Sequence, residues 1–360
     1  MKLLIAAPPK SPLVQRTIHK LKEHKIECMV VSFDSETGFY SCRSISLGPL
    51  KSFFDYFKFW KMFKIVNEYK PDLIHAHVLN HYGLICSFLT YPLLVTMWGS
   101  DVMLAPNEGG WKKYIFRAIN HFVIKRADGL HTSSVHVAEE AKNQCKKAAA
   151  KTQVFYWGLH LNSPQGLEKE AILEKFNSKY NIKSRKYFVF NRGLGDVYNP
   201  DLVSKVINEI LNSDRYENNI VILRAYSTDS EVDRFFTKID KSKIIYIDEV
   251  LTEKELHELY KFSIAHFSLT RSDALGGGVI EPALCGSYPI LSDIPPYVTY
   301  SRNNSAYIVN TKNYDCVQQL MKYLETIRPD FVPRVDSVYD NDYIIAKTLE
   351  MYKSIVNRRS

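Results

Sequence analysis

Short runs of apolar, β-branched and aromatic residues alternate along the chain with longer segments of helical periodicity. Helices such as Val14–His24 and Trp111–Arg126 separate the runs of the first half. This alternation is typical of parallel sheets covered by helices on both faces. The predicted strands of the first half are Leu3–Ala7, Cys28–Phe33, Leu73–His75, Leu93–Met97, Gly129–Thr132 and Val154–Tyr156.

The alternation restarts after a polar stretch at about Ser163–Arg185, and Thr252 with Glu255 predicts a capping box at a helix start. The predicted strands of the second half are Tyr187–Phe190, Ile220–Arg224, Ile244–Asp248, Ile264–Leu269, Tyr288–Ser292 and Ala306–Ile308. We therefore predict an α/β protein of two Rossmann-like, doubly wound domains that face each other across a ligand cleft.

The predicted domain boundaries follow from the same pattern. Residues 1–160 form an N-terminal acceptor-binding domain, 161–185 form a linker, and 186–335 form a C-terminal nucleotide-sugar-binding domain. Residues 336–360 form a C-terminal helix that packs back on the N-terminal domain. The function named for each domain depends on the motifs described next.

The segment 268–296, SLTRSDALGGGVIEPALCGSYPILSDIPP, reads as strand, glycine-rich loop, helix, turn and strand. Gly276, Gly277 and Gly278 precede a helix that we expect to begin near Val279. Glycines let backbone amides approach a ligand, and a helix start presents N–H groups and partial positive charge to a diphosphate. The structural alternative is a tight turn that binds nothing.

Two carboxylates frame this loop, Asp273 and Glu281, and each can accept hydroxyl hydrogen bonds from a sugar ring. Their spacing, with Gly286 and the pair Ser292-Asp293 behind them, resembles the signature of retaining glycosyltransferases of family 4, group 1 enzymes of GT-B fold. The resemblance implies that Glu281 binds the ribose hydroxyls of a nucleotide sugar and that Asp273 binds the donor sugar. The first acidic residue of the signature is usually Glu.

The segment FNRGLGDVYNPDLV resembles the arginine-bearing loop of the same family, which makes Arg192 the candidate for binding the diphosphate. A solvated loop arginine is the alternative. The family often has a lysine five residues later, where this chain has Val197, and Arg271 or Arg224 are candidates to replace it. The predicted donor-binding residues are Glu281, Gly276, Gly277, Gly278, Val279, Arg271 and Asp248.

In the first half, PDLIHAH and LVTMWGSD resemble the two central strands of the family and their following loops. Trp98 stands where many relatives have a histidine, whereas Asp101 keeps the pattern and joins Asp273 and Arg192 in the predicted catalytic set. The predicted acceptor-side residues are Lys10, His77, Trp98 and Ser100. We expect no metal, since His75 and His77 lack a third ligand at suitable spacing.

The net charge of +8 is concentrated in residues 1–151, which carry 21 Lys and Arg against 12 Asp and Glu. Within that half, the segment 51–70 mixes aromatic residues with lysines, and 112–126 is also basic. Either these helices lie on an anionic membrane surface, or their aromatic side chains fill the core while the lysines are solvated. A lipid-linked acceptor fits the first interpretation, and no nucleic-acid reader motif is present.

The six cysteines are scattered, which favours a reducing cytoplasm over a disulfide framework. The apolar run Leu3–Ala7 is too short for a signal peptide. Leu73–Ser100 contains no charged side chain, but its histidines and proline favour strand, helix and strand over a membrane span. We expect a cytoplasmic protein that can lie peripherally on the inner face of the membrane.

Together these patterns predict an enzyme that moves a sugar, with retention, from a UDP or GDP sugar to a saccharide or lipid-linked saccharide. The expected setting is synthesis of a cell-surface polysaccharide or lipopolysaccharide, with no cofactor beyond the nucleotide-sugar co-substrate. The alternatives are a nucleotide-sugar epimerase or hydrolase of the same fold and a non-catalytic sugar-binding partner.

Overall fold

The computed structural model describes residues 1–8, 11–33, 42–50, 55, 59–107, 110–158, 178–180, 187–213, 220–225, 227–328 and 331–358. The chain divides into two compact units. Unit 1 comprises Met1–His160 and Ser337–Ser360, and unit 2 comprises Leu161–Asp336. The predicted linker lies almost wholly outside the described residues.

Unit 1 is built around a parallel sheet that has, in the described residues, seven strands in the order β3-β2-β1-β4-β5-β6-β7. Strands that are buried on both faces read as continuous apolar runs, which is why most of them are visible in the sequence. Its strands are β1 (Lys2–Ala6), β2 (Glu27–Ser32), β3 (Arg43–Ser46), β4 (Leu73–His77), β5 (Leu93–Met97), β6 (Gly129–Thr132) and β7 (Thr152–Val154).

Two differences from the prediction in unit 1, at β3 and at the start of β7, have a clear physical reason. β3 was not predicted, because its four residues RSIS are mostly polar and it lies at the edge of the sheet, with no further strand beside it among the described residues. β7 begins two residues before the predicted Val154, since the apolar side chains of 154–156 continue past the hydrogen-bonded part of the strand.

The helices of unit 1 up to β7 are α1 (Pro12–Glu23), α2 (Phe59–Tyr69), α3 (Leu84–Cys86), α4 (Ser100–Met103), α5 (Lys112–Arg126) and α6 (Val135–Gln144). α1 starts at a proline whose missing N–H is not needed there, and Ser11 caps it by accepting from the Val14 amide. A single π-helical turn, Leu79–Gly83, follows β4 and leads into α3. The segment between β4 and β5 is thus helical, as predicted.

Unit 2 contains a second parallel sheet, whose described strands follow the order β10-β9-β8-β11-β12-β13. The strands are β8 (Tyr187–Phe190), β9 (Ile220–Leu223), β10 (Ile245–Ile247), β11 (Ser263–Ser268), β12 (Tyr288–Ser292) and β13 (Tyr307–Val309). The helices are α7 (Pro200–Leu211), α8 (Asp229–Phe236), α9 (Glu253–Phe262), α10 (Gly277–Leu284), α11 (Pro295–Ser301) and α12 (Cys316–Leu324). The capping box of Thr252 and Glu255 at α9 is confirmed.

Both sheets reverse their strand order once, between β1 and β4 in unit 1 and between β8 and β11 in unit 2. At such a switch point the connections on the two sides run to opposite faces of the sheet, and a crevice opens beyond the carboxyl ends of the strands. Residues that directly follow these four strands are therefore the first place to look for a ligand site.

The last helix, α13 (Asn341–Asn357), belongs to unit 1. The hydroxyl of Tyr352 lies 2.8 Å from Nδ1 of His75 in β4. Ile355 packs against β6 so closely that a Cβ atom on Gly129 would lie 2.5 Å from its Cδ1. The end of the chain therefore completes the core of the unit in which the chain begins.

Within the described part of the chain, no helix combines the length and the apolar character needed to cross a bilayer.

Candidate functional site

Arg192 lies two residues after the end of β8, at the switch point of the second sheet. Its side chain is only 18% exposed and forms an ion pair with Asp273, with Nη2 and Oδ2 3.1 Å apart. The guanidinium also lies over the ring of Tyr198, 5.4 Å from its centroid. Among the described residues, nothing hydrogen-bonds its buried Nε. Arg192 is thus held in place while it keeps donor capacity for a further anionic group.

Asp273 follows β11, the strand next to β8, and its carboxylate holds the loop as well as Arg192. Oδ1 accepts from the amide of Ala274 at 2.9 Å, and Oδ2 accepts from the amide of Gly276 at 3.3 Å. These bonds fold the chain into a compact turn ahead of α10. The observed partners of Asp273 are therefore groups of the protein, and its predicted contact with the donor sugar stays a prediction.

Tyr297 of α11 is a member of this site that the sequence did not reveal. Its hydroxyl donates to Oδ2 of Asp273 at 2.6 Å and accepts from Oγ of Ser268 at 2.7 Å. The side chain is fully buried. A chain of hydrogen bonds and charge thus runs from Ser268 through Tyr297 and Asp273 to Arg192. In the sequence, Tyr297 follows Pro295 and Pro296. The two prolines indicate the start of a helix, but nothing in this pattern indicates a contact with Asp273.

The electrostatics of this group keep the arginine charged. Burial lowers the pKa of Arg192, but Asp273 together with the neighbouring Tyr297, Tyr198 and Tyr260 more than offsets it, so that the pKa of Arg192 is raised. Burial and the same carboxylate raise the pKa of Tyr297, which stays a neutral donor. The site therefore presents one permanent cation that a single carboxylate balances.

The glycine-rich loop differs in detail from the prediction. α10 begins at Gly277 with Gly276 as its N-cap, two residues before the predicted start near Val279. Glu281 consequently lies in the second turn of α10 and not in the first. The left-handed backbone of the loop falls on Leu275, with φ of 67°, and not on a glycine. The conformational freedom of glycine is thus not what this triplet supplies.

Close approach explains Gly278 instead. A Cβ atom there would collide with Nη1 of Arg192 and come within 3.2 Å of its Cδ. Asn191 fixes the same stretch, since its Nδ2 donates to the carbonyl of Gly278 at 2.9 Å and to the hydroxyl of Tyr260 at 3.2 Å. The start of α10 at Gly278 therefore lies beside the guanidinium, where a helix carries partial positive charge.

Glu281 is half-buried on the same helix. Burial first, and then the charge of Glu281, raise the pKa of both Tyr260 and Cys285, to about 12 for the cysteine. The carboxylate therefore lies near both of these side chains. Val279, the remaining predicted residue of this helix, is completely buried and packs into unit 2.

The other two predicted donor-site residues point elsewhere. The amide of Arg271 donates to the carbonyl of Val197 at 2.8 Å and its Nη2 donates to Asn199 at 3.3 Å, which ties the loops after β8 and β11 together. Asp248 is exposed and forms an ion pair with Arg224 at 2.8 Å. Arg224 is also paired with Asp229. These bonds tie Arg271 to the loop after β8 and Asp248 to Arg224, and they do not bring either residue to Arg192.

In unit 1, the predicted catalytic Asp101 is buried and binds backbone amides. Its Oδ2 accepts from Leu79 at 2.8 Å, and its Oδ1 accepts from Trp98 at 3.1 Å and Gly99 at 3.0 Å. Burial raises the pKa of Asp101, against the effect of these hydrogen bonds. These contacts give Asp101 a structural role at the ends of β4 and β5, and its part in catalysis stays a prediction.

The backbone is strained where Asp101 holds it. Val78, directly after β4, has φ of 69°, which is an outlier for a β-branched residue. Its amide donates to the carbonyl of Thr96 at 2.9 Å. Strain of this kind persists only where surrounding contacts impose it. The unit thus forces an unusual turn at the carboxyl end of its central strand.

His77 and Trp98 form a pair beside this turn. Nε1 of Trp98 donates to Nδ1 of His77 at 3.2 Å, so the ring proton of His77 lies on Nε2. No group in the described ranges accepts from that buried Nε2. The ring packs against Trp157 at 4.6 Å. Ser100 is exposed at the start of α4, and Lys10 lies outside the described residues.

A second set of histidines forms a continuous hydrogen-bonded chain through the buried sheet. Nε2 of His131 donates to the Phe155 carbonyl at 3.0 Å, so its Nδ1 accepts from the hydroxyl of Thr96 at 3.3 Å. That hydroxyl accepts in turn from Nε2 of His75 at 2.7 Å, which leaves Nδ1 to accept from Tyr352. The chain needs both histidines neutral. Burial provides this by lowering the pKa of His75 and that of His131, the latter to about 4.

Of the predicted residues, Arg192, Asp273, Gly276 and Gly278 come together in unit 2, with α10 carrying Glu281 behind them. His77, Trp98 and Asp101 come together in unit 1. In the described part of the chain, no group of three or more histidine, cysteine or carboxylate side chains is arranged to hold a metal ion.

This architecture, two α/β units each built on a parallel sheet, is the GT-B fold of solved glycosyltransferases, and the predicted α/β class with two doubly wound domains is confirmed. Residues 2–134 match the family model described as Glycosyl transferase 4-like. Sequence comparison with curated proteins gives no significant match. The family model and the fold together support a glycosyltransferase.

The fold assignment comes from solved structures of low sequence identity. Sucrose-phosphate synthase from Thermosynechococcus elongatus is 14% identical, with a TM-score of 0.77 and 99% of each chain covered. HepE from Anabaena, in complex with UDP and glucose, is 12% identical, with a TM-score of 0.73 and 99% of each chain covered. UDP-GlcNAc 2-epimerase from Methanocaldococcus jannaschii is 15% identical, with a TM-score of 0.63 over 98% of this chain and 100% of the other.

Proposed function

We propose that the protein transfers a sugar from a nucleotide-diphosphate sugar to a saccharide or lipid-linked saccharide acceptor, with retention of configuration. The observation that carries the proposal is Arg192. A buried guanidinium with an unpartnered Nε lies against the start of α10, at the switch point of a doubly wound sheet. A cation beside a helix N-terminus is suited to a diphosphate.

Each residue of the site then has a distinct task. Arg192 and the first amides of α10 bind the diphosphate and stabilise the charge that develops on it as the sugar leaves. Asp273 is a positioning residue for Arg192, supported by Tyr297. Glu281 accepts from the ribose hydroxyls. The donor sugar lies beyond the loop 273–276.

Retention is proposed because the segment 268–296 resembles that of the retaining family. HepE was solved with UDP and glucose, and this supports a uridine nucleotide as the first donor to try. In the proposed reaction an oxygen of the donor diphosphate takes the proton of the acceptor hydroxyl, which attacks the anomeric carbon from the face that the leaving group vacates.

A nucleotide panel tests the donor site directly. A ligand that binds only the folded protein raises its Tm. We expect UDP or GDP to raise the Tm of the wild-type protein, and we expect the Arg192→Ala variant to lose this shift while keeping its own unfolding transition. If none of UDP, GDP and ADP shifts the wild-type Tm at saturating concentration, the donor-site proposal is wrong.

Product analysis separates the proposal from its alternatives. Incubation with the nucleotide sugar that binds best should release nucleoside diphosphate only when an acceptor is added. Conversion of the nucleotide sugar without acceptor would identify an epimerase or hydrolase. Binding without turnover, across a panel of saccharide and lipid-linked acceptors, would favour a non-catalytic sugar-binding protein.

A further inference from the structure

One exposed face of unit 1 carries large apolar side chains instead of polar ones. Trp60 and Trp111 are 66% and 69% exposed, and Phe88 is 54% exposed. We call this set the aromatic face, and it consists of Trp60, Phe63, Phe88, Trp111, Ile115 and Phe122. Large exposed apolar patches on a folded chain mark interaction surfaces.

Ring contacts make the face continuous across three segments. The ring of Phe59 in α2 lies 5.4 Å from Trp60, 6.2 Å from Phe63 and 5.6 Å from Phe88. Phe88 then lies 5.4 Å from Phe122 in α5. Phe122 and Ile115 of α5 and Trp111 at its N-cap follow one another at seven- and four-residue spacings, which keeps them on one side of the helix.

Core filling does not account for these rings, because each helix has a separate buried face. α2 buries Met62 and Val66, and α5 buries Asn120, Val123 and Ile124. α5 is therefore apolar on its inner side and again on its outer side. A helix of this kind needs a second apolar environment outside the protein.

The charges around the aromatic face indicate what this second apolar environment is. α5 contains no Asp or Glu, and its Lys112 and Lys125 are exposed; Lys61 and Lys64 of α2 are exposed beside Trp60 and Phe63. Lysines and tryptophans in this combination suit the boundary between lipid headgroups and acyl chains, where rings enter and ammonium groups meet phosphates. A second copy of the same face would instead bring like charges together.

We propose that the aromatic face docks unit 1 on an anionic lipid bilayer. This docking is a property of unit 1 and needs no nucleotide, so it stands or falls independently of the donor site. The rings lie in the interfacial layer, and the lysines of α2 and α5 bind lipid phosphates.

Vesicle sedimentation of the full chain tests this. We expect binding to vesicles of equal parts phosphatidylglycerol and phosphatidylcholine, little binding to pure phosphatidylcholine, and weaker binding at high salt. Tryptophan fluorescence of the wild-type protein should be quenched by brominated anionic lipids, because Trp60 and Trp111 enter the bilayer. This readout requires no variant to fold.

Variants locate the contact. Trp60→Ser, Trp111→Ser and Phe122→Ser together should lower the partition coefficient by more than about 100-fold, since each lost ring removes roughly a tenfold gain from apolar burial. Lys112→Glu with Lys125→Glu should lower it by at least about tenfold. The matched controls in unit 2 are Val250→Ser with Tyr314→Ser, both residues 97% exposed, and Lys205→Glu with Lys322→Glu.

Three results would overturn the proposal. The wild-type protein fails to bind or to be quenched by anionic vesicles; the face variants bind as well as the wild type and the unit 2 controls do; or light scattering finds a wild-type dimer that the triple variant dissociates. The last result would identify the face as a contact between copies of the chain.

Discussion

The two parallel sheets place different polar groups at and beside their switch points. In unit 1 the central strands β4, β5 and β6 contribute His75, Thr96 and His131, all buried and hydrogen-bonded as neutral groups. In unit 2 the corresponding position holds an ion pair, Arg192 and Asp273, with 18% and 13% of the side chains exposed. The same fold thus supports a neutral polar core in one unit and a partly accessible charge in the other.

This difference separates polar groups that stabilise the fold from polar groups that can bind a ligand. In unit 1 each proton of the chain from Tyr352 to Phe155 has an acceptor, so the chain has no capacity left for a ligand. In unit 2 the guanidinium keeps an unused donor next to a helix start. A buried charge is costly unless it has a partner, so a charge that keeps unused capacity indicates function more strongly than a satisfied network does.

The largest expected effect concerns Arg192. Arg192→Ala should lower glycosyl transfer by about 100- to 1,000-fold, because it removes the cation that stabilises the leaving diphosphate. The transfer rate of Arg192→Lys should lie between those of the wild type and Arg192→Ala, because lysine keeps the charge but lacks the paired N–H donors of the guanidinium. Initial rates with a saturating donor measure this. Arg234→Ala, an exposed arginine of the same unit paired with Asp196, is the control that should keep the wild-type rate.

Acid should weaken the folded protein through its buried histidines. Burial lowers the pKa of His77 and of His266 to about 3 and that of His131 to about 4, whereas an unfolded histidine titrates near 6.5. Between these values the unfolded chain binds more protons, so stability decreases as pH falls below about 6.5. Each such histidine contributes a loss of at most about 2 kcal/mol at pH 5.

Urea unfolding at pH 7 and pH 5 measures the loss of unfolding free energy on acidification, and proton NMR of the histidine rings identifies which histidines cause it. The rings of His77, His131 and His266 should stay neutral in the folded protein at pH 5, because burial lowers their pKa values to about 3 or about 4. Equal unfolding midpoints at the two pH values would contradict this assignment.

Thr96 should matter more to stability than its size suggests. Thr96→Val leaves Nε2 of His75 and Nδ1 of His131 without partners and should cost about 2–4 kcal/mol, while Tyr352→Phe leaves only Nδ1 of His75 and should cost about 1–3 kcal/mol. Tyr343→Phe, a more exposed tyrosine of α13, is the control. Donor binding in unit 2 should not change. If Thr96→Val lost UDP binding without unfolding, the hydrogen-bonded chain of unit 1 would have a part in ligand binding as well as in stability.

The smallest effect tests the steric role of the glycines. Gly278→Ala should weaken donor binding by about tenfold, a change of about 1.4 kcal/mol, because the new Cβ displaces Arg192. Gly276→Ala should lose much less affinity for the donor, because its Cβ would lie 3.6 Å or more from Asp273 and Arg192. Calorimetric titration with UDP compares the two. Equal losses would mean that the loop backbone, and not Arg192, governs binding.

Much of the fold was predictable, because strands buried on both faces and helices with a single buried stripe leave clear periodicity. The exceptions have local causes. β3 is short, polar and at a sheet edge, and α10 begins two residues early because glycines carry no apolar signal that marks a helix start. The candidate site was predictable only as far as motifs mark it: Arg192, Asp273 and the glycines, but not Tyr297.

The sequence by itself determined the alternation of strands and helices, the position of Arg192 after β8 and the loop before α10. The tertiary structure alone decided the partners. Tyr352 meets His75 across 277 residues, and Tyr297 meets Asp273 across 24. The physical reason is that periodicity records which side of an element is buried, whereas a hydrogen bond between elements depends on strand order, helix packing and side-chain direction, which only the folded chain sets.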